Sequence, residues 1–279
     1  MKKVKHIIKD CFPPSLLQIL QYARDENNKS SQIEFAGNYK SWEDAYKECT
    51  GYDSDNILEK TKNALLKVKR GEAVYERDSV LFDEIHYSWP LLVGLLKAAS
   101  ENENRLSVLD FGGSLGSSYF QCIGFLSGLK SLRWSIVEQP KYVKYGREFF
   151  ETEELKFYND INECLINEKP NVVLLSSVIP YIEYPHDLLQ DIIMRNFQYV
   201  ILDRTPVVHS ESDILTIQKV PSEIYEASYP AWFISEKKLL ASFDNRYQLL
   251  SDFDSFEVWR LGPLIVQNKG YIFLRYPKL

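Results

Sequence analysis

Val108-Leu109-Asp110-Phe111-Gly112-Gly113-Ser114-Leu115-Gly116 decides the reading of this chain, together with Glu138, which follows the run Trp134-Ser135-Ile136-Val137. Leu106 to Asp110 is short and apolar, the pattern of a strand buried on both faces, and glycines interrupt it at its carboxyl end. From Ser117 to Leu129, the apolar residues Tyr119, Phe120, Ile123, Phe125, Leu126 and Leu129 recur at a mostly helical spacing, and a second strand begins near Trp134. This is a βαβ unit. Its open end offers unpaired helix amides and close backbone approach at Gly112, Gly113 and Gly116, while Glu138 is placed to accept hydrogen bonds from ribose hydroxyls. The expected ligand contains an adenosine-like nucleoside.

Counting from Gly112, a dinucleotide fingerprint G-x-G-x-x-G meets Ser114 and Ser117 where it needs glycine. Asp110 at the strand tip repels a pyrophosphate and suits a ligand that carries an ammonium and a sulfonium. These features favour S-adenosylmethionine over NAD.

Val108 to Gly116 resembles the first motif of class I S-adenosylmethionine-dependent methyltransferases, h-h-D-h-G-x-G-x-G. Ser114 replaces its middle glycine, a change the backbone accommodates if φ there stays negative. Tyr39-Lys40-Ser41-Trp42-Glu43-Asp44-Ala45, Tyr75-Glu76-Arg77-Asp78-Ser79, Val137-Glu138-Gln139-Pro140 and Ser228-Tyr229-Pro230-Ala231-Trp232-Phe233 extend the likeness over roughly residues 35 to 276. Together they resemble a bacterial group of methyltransferase-like proteins often associated with surface-polysaccharide gene clusters. The resemblance implies an α/β fold: a Rossmann-like, seven-stranded class I methyltransferase sheet with an N-terminal helical cap. It also implies S-adenosylmethionine contacts at Asp110, Gly112, Gly113, Gly116, Glu138, Gln139, Asp160, Ser176 and Ser177. Asp160 equally fits the N-cap of a helix starting at Ile161.

After Glu138 the pattern predicts a helix near Tyr142 to Phe150, strands at Leu155 to Tyr158 and Asn171 to Ser176, a helix at Leu188 to Arg195, and a strand at Tyr199 to Asp203. The last strands are expected at Tyr247 to Phe253 and Gly270 to Tyr276, forming the antiparallel hairpin that closes a class I sheet. Upstream, residues 42–46 and 57–68 read as helices and Ser79 to Ala99 as another, broken at Trp89-Pro90. The expected organisation is a helical region over residues 1–100 and a methyltransferase domain over 101–279, with an insertion at about 205–235 that acts as a lid.

Methyl transfer to oxygen needs a base for the hydroxyl proton. Asp203 and His209 are the catalytic candidates, with Glu84, His86 and Tyr181 as further bases. His86, Tyr181, Arg204 and Trp232 are the substrate-binding candidates: Arg204 for a carboxylate or phosphate, and Trp232 among Tyr225, Tyr229 and Phe233 for stacking on a sugar ring. Core packing and an ordinary salt bridge are the competing explanations.

With 279 residues, 45% of them hydrophobic, the chain can bury a sizeable core, and a net charge of −6 argues against general affinity for nucleic acid. The four cysteines are widely spaced and read as reduced core thiols, and no zinc site is expected. Lys2, Lys3, Lys5 and Lys9 precede Pro13-Pro14 and the short apolar stretch Leu16 to Leu20, which lacks a cleavage pattern; a helix covering its own domain and a cytoplasmic location are expected. A membrane surface or a glycosyltransferase partner is the other use of that basic start. Three functions remain open: O-methylation of a saccharide or nucleotide-linked sugar, a non-catalytic methyltransferase-like subunit supporting a glycosyltransferase, and an NAD-dependent sugar oxidoreductase or epimerase.

Overall fold

The protein is described by a computed structural model covering residues 33–50, 54–77, 79–220 and 227–277. The basic amino-terminal segment, Cys11 and Tyr225 lie outside the described residues. The chain runs through β1 (Glu34–Tyr39), α1 (Trp42–Lys47), α2 (Ser54–Lys69), β2 (Tyr75–Arg77), β3 (Val80–Phe82), α3 (Trp89–Ser100), β4 (Arg105–Phe111) and α4 (Ser117–Leu126). It continues through β5 (Ser131–Val137), α5 (Pro140–Phe149), β6 (Leu155–Tyr158), α6 (Ile161–Asn167), β7 (Val172–Ser176) and α7 (Pro185–Met194). The last elements are β8 (Tyr199–Val208), β9 (Ile214–Val220), β10 (Ala227–Ser235), α8 (Glu236–Phe243), β11 (Tyr247–Leu261) and β12 (Leu264–Arg275).

The apolar run around Val108 and Leu109 forms β4, in the parallel part of the sheet between β5 and β7, with Asp110 facing Ile136 on one side and Leu174 on the other. β6 continues beyond β5 and β8 beyond β7, all parallel. Burial on both faces follows from helices on both faces. Leu65 of α2, Leu95 of α3, Cys122 of α4 and Val143 of α5 share one cluster with Val108 and Trp134; Cys164 of α6, Ile192 of α7 and Leu239 of α8 share another with Leu109 and Leu202.

The expected seven strands are present, but the sheet has ten, in the order β10-β9-β1-β11-β12-β8-β7-β4-β5-β6. β10 also pairs in parallel with β8, Ile234 facing Val207, so that β8, β12, β11, β1, β9 and β10 close into a ring. Phe35 of β1, Phe233 of β10 and Trp259 of β11 pack together within it: Phe35 stacks on Trp259 at 4.5 Å and meets Phe233 edge-on at 5.1 Å.

Three expectations are corrected here. The region before residue 100 is not only helical: β1 belongs to the large sheet, and β2 and β3 form a hairpin. In β1, Phe35 is the one buried side chain, so no alternation announces a strand. The helix expected from Ser79 begins only at Trp89, where Pro90 occupies the first turn in which its missing N–H costs nothing. The segment read as a lid is instead the antiparallel pair β9 and β10, joined residue by residue from Ala227 opposite Val220 to Phe233 opposite Ile214.

Because Phe35 anchors β1 between β9 and β11, Phe35→Ala is expected to destabilise the protein by about 3 kcal/mol in urea unfolding. A loss below about 1 kcal/mol would show that ring closure contributes little to stability.

Candidate functional site

At the end of β4 the backbone turns sharply. Gly112 adopts φ +70°, and a Cβ there would lie 2.3 Å from Val178 Cγ2, so only glycine fits between the loops after β4 and β7. At Gly113 a Cβ would approach the Asp110 carboxyl carbon to 2.6 Å, because that side chain folds back beneath the loop. Ser114 has φ +54°, not the negative value expected from its side chain. The strained conformation aims its N–H at the Glu138 carboxylate, which also accepts the Gln139 N–H at 2.7 Å. Gly116 then precedes α4 with φ +110° and no side-chain cap, and no acidic residue occupies the first turn of that helix.

Asp110 is 1% exposed. Its Oδ2 accepts a hydrogen bond from Trp134 Nε1 at 3.0 Å, while Oδ1 is buried with no hydrogen-bond partner. Burial pushes this carboxyl up to about 7, against the Trp134 bond that lowers it and with Glu138 adding repulsion. Burial likewise raises Glu138, opposed by the two amides it accepts. Asp160 is exposed and caps α6, its Oδ1 accepting the Glu163 N–H at 2.9 Å. It follows β6, whose Tyr158 carbonyl accepts the Glu138 N–H at 3.1 Å, so Asp160 lies beside the Glu138 end of the crevice.

A second group of side chains gathers where β7 and β8 end their pairing, with Ser176 opposite Asp203. Asp203 is 1% exposed; Ser176 Oγ donates to its Oδ2 at 3.0 Å and Ser88 Oγ to its Oδ1 at 3.4 Å. Burial raises the Asp203 carboxyl, and Arg204 and Arg77 pull it back. The Ser177 N–H donates to the Asp203 carbonyl at 2.9 Å. Arg204 sits on a bulge, with φ +53°, where the register with β12 shifts between Lys269 and Tyr271. Its guanidinium is bound within the protein, Nη1 to Glu257 at 2.9 Å and Nε to Ser176 Oγ at 3.2 Å.

Asp203, Arg204 and Ser88 of this group line a cavity of about 210 Å³ with Arg77, Tyr87, Trp89, Phe256 and Glu257. Tyr87, Trp89 and Phe125 form a triangle of rings with centroids 4.9 to 5.4 Å apart. The crevice of Asp110, Glu138 and Asp160 and the Asp203 cavity therefore flank the point between β4 and β7 where the chain reverses its direction of sheet growth, a usual ligand position in open α/β sheets.

Of the other expected residues, His209, Tyr181 and Trp232 are not gathered there, whereas the His86 ring meets the Phe256 ring of the cavity edge-on at 6.1 Å. His209 follows the end of β8, far along the strand from Asp203, with 85% of its side chain exposed and Nδ1 2.9 Å from Glu236. Tyr181 donates to Gln218 at 2.9 Å and meets the Tyr229 ring, on the side of the strand ring. Trp232 stacks on Trp42 at 6.3 Å, which makes it a packing residue. His86 lies on the exposed loop before α3, not on a helix, with Glu84 3.8 Å away. The cavity-lining residues missed by sequence reasoning include Arg77, Tyr87, Ser88, Trp89, Phe256 and Glu257. Only Arg77 carried a signal, standing in the motif Tyr75 to Ser79, whose Glu76 accepts a hydrogen bond from Ser117 Oγ at 2.7 Å.

No known family's sequence pattern matches the chain, and no curated protein matches it by sequence. Solved structures similar to it include an S-adenosylmethionine-dependent methyltransferase from Clostridium acetobutylicum ATCC 824, at 11% identity and TM-score 0.47 over 76% of this chain and 97% of that one. Another is the N-terminal domain of EvdMO1 in the presence of SAH and D-fucose, at 13% identity and TM-score 0.43 over 81% of this chain and 98% of that one. A third is the SAM-bound amino pentose methyltransferase CalS10 from Micromonospora echinaspora, at 8% identity and TM-score 0.44 over 68% of this chain and 92% of that one. Among the described residues no helix is long and apolar enough to cross a membrane, and no group of His, Cys, Asp and Glu is placed to hold a metal ion.

Folding raises the Asp110 carboxyl from 3.8 to about 7, so the folded protein retains a proton that the unfolded chain releases. Its contribution to stability therefore falls as pH rises through that window. Asp110→Asn is expected to narrow the difference in ligand-free unfolding free energy between pH 5 and pH 8 by about 1 kcal/mol or more. An unchanged difference would contradict the assignment.

Proposed function

We propose that this protein is an S-adenosylmethionine-dependent O-methyltransferase acting on a hydroxyl of a saccharide or a nucleotide-linked sugar. The observation that carries the reading is the buried, unpartnered Oδ1 of Asp110 beneath the glycine loop, in the same crevice as Glu138 and a helix N-terminus without a side-chain cap. A carboxyl oxygen shut away from water without a partner calls for a cationic or hydrogen-bond-donating ligand group, and a cation there would also favour its ionised form. A class I core is consistent with this: β6-β5-β4-β7-β8 run parallel, β12 is antiparallel beside β8, and β11 completes the hairpin.

The residues fit the cofactor as follows. Asp110 would hold the ammonium, the first amides of α4 the methionine carboxylate, Glu138 the ribose hydroxyls and the second oxygen of Asp160 the adenine amino group, with Gln139, Ser176 and Ser177 bordering the site. When bound, the cofactor supplies a methyl carbon activated by a sulfonium. Asp203 would take the proton that the acceptor's hydroxyl gives up on accepting the methyl group. Burial suits Asp203 to this task by bringing its carboxyl closer to the working pH, and Ser176 and Ser88 fix the direction of its lone pairs. Tyr87, Trp89 and Phe256, rather than Trp232, present rings to the acceptor. The place in surface-polysaccharide assembly belongs to this reading through the sequence resemblance, and a glycosyltransferase partner and a cytoplasmic location through the residue pattern alone.

Calorimetric titration with S-adenosylmethionine, S-adenosylhomocysteine and NAD tests the cofactor. The two sulfur nucleosides are expected to bind and NAD to fail; NAD alone, or none of the three, overturns the reading. Glu138→Ala is expected to weaken nucleoside binding by about 1–3 kcal/mol through the lost ribose bonds. Asp203→Asn is expected to lower turnover of a methylated acceptor about 100-fold or more with nucleoside affinity nearly unchanged, and full turnover in that variant would remove Asp203 as the base.

A further inference from the structure

We infer that Arg77 is the specificity-determining residue of the acceptor cavity and grips an anionic group, a carboxylate or a phosphate, on the acceptor sugar. The inference rests on the methyltransferase reading for the acceptor's role, but its physical basis lies in the cavity itself.

Two guanidinium groups line that cavity, and their surroundings differ. Arg204 is neutralised internally, with Glu257 at 2.9 Å and Asp203 at 3.9 Å. Arg77 has neutral contacts: its Nη2 donates to Gln121 Oε1 at 3.0 Å and its guanidinium lies 5.4 Å from the centre of the Tyr75 ring. Among the described residues no carboxylate forms an ion pair with it. Asp203 acts on it only through space, and Asp254 lines the cavity as an exposed group hydrated by solvent.

The neutral contacts are themselves built into the core. Gln121 is 2% exposed and its amide donates to the His86 carbonyl, while Tyr75 is 2% exposed. The side chain of Arg77 is therefore held in place before any ligand arrives, half-buried at the wall of the cavity, with donors of its planar fork unused by these contacts. A half-buried cation held by neutral groups gains most from an anion that supplies two oxygens in one plane. With Trp89 54% exposed at the same cavity, the arrangement matches an acidic sugar: an apolar ring face against the aromatic wall and an anionic substituent against Arg77.

The test uses methyl glucuronoside, glucose 6-phosphate and methyl glucoside as probes, titrated into the full-length protein with and without S-adenosylhomocysteine. At least one anionic probe is expected to bind tenfold or more tightly than methyl glucoside. A preference for the glucuronoside identifies carboxylate recognition, and a preference for the phosphate identifies phosphate recognition. Arg77→Gln is expected to erase the preference and Arg77→Lys to retain part of it, with unchanged circular dichroism and S-adenosylhomocysteine affinity in both. Equal affinity for all three probes, no binding of either anionic probe, or a preference that survives in Arg77→Gln overturns the proposal. Failure of S-adenosylhomocysteine to bind the unmodified protein counts instead against the methyltransferase reading, because the anion preference is measured separately without it.

Discussion

The architecture depends on β8 serving both the parallel part of the sheet and the ring. Its first residues, Tyr199 to Asp203, pair in parallel with β7, and its last, Val207 and Val208, pair in parallel with β10, while β12 runs antiparallel along its other edge. A strand with neighbours on both edges along its length must change partner somewhere, and the backbone groups at the change still need satisfaction. The change occurs at Asp203 and Arg204, where the bulge places one residue in a left-handed conformation. Strain of this kind costs about 1–3 kcal/mol and persists only where surrounding contacts determine it. Here Glu257 from β11 and Ser176 from β7 hold the Arg204 guanidinium, and Glu257 and Arg204 themselves line the cavity.

The same economy of space governs the loop after β4. Gly112 and Gly113 each have a steric reason inside the protein, Val178 for the first and the Asp110 side chain for the second. The glycines are therefore not evidence of a ligand by themselves. What the packing leaves unexplained is Asp110 Oδ1, because an apolar or amide side chain would fill the space under Gly113 without a buried charge. Asp110, more than the glycine spacing, therefore points to a ligand.

Much of the parallel core was legible because its strands obey strong rules. Leu106 to Asp110, Leu155 to Tyr158, Asn171 to Ser176 and Tyr199 to Asp203 are apolar runs buried on both faces, and each is followed or preceded by a helical period. The ring was not legible. β1 reads Glu-Phe-Ala-Gly-Asn-Tyr with a single buried side chain, and its partners β9 and β11 lie about 180 and 225 residues away, so nothing local specifies it. β10 was visible only as aromatic density, and that density packs the ring through Phe233. The site divided in the same way. Asp110, Glu138 and Ser176 stand at strand ends that the pattern located and Asp203 where β8 leaves its pairing with β7, whereas Arg77, Ser88, Phe256 and Glu257 come from a short hairpin, a loop and the middle of β11.

This division has a physical reason that bears on how such a protein acquires selectivity. Residues at the ends of parallel strands are positioned by the core, so their separation is constrained by β4, β5, β7 and β8 themselves. Residues on the ring and the hairpin depend on long-range pairings, and these can vary in sequence while the parallel core is kept. His209 illustrates the consequence: it stands six positions after Asp203, yet β8 continues into the ring and carries it away to Glu236. At about 3.3 Å per residue, that separation is on the order of 20 Å, too far for two side chains to share one proton transfer. Sequence proximity to a core strand's end is therefore a sound guide only where the strand actually ends, and β8 does not end at Asp203.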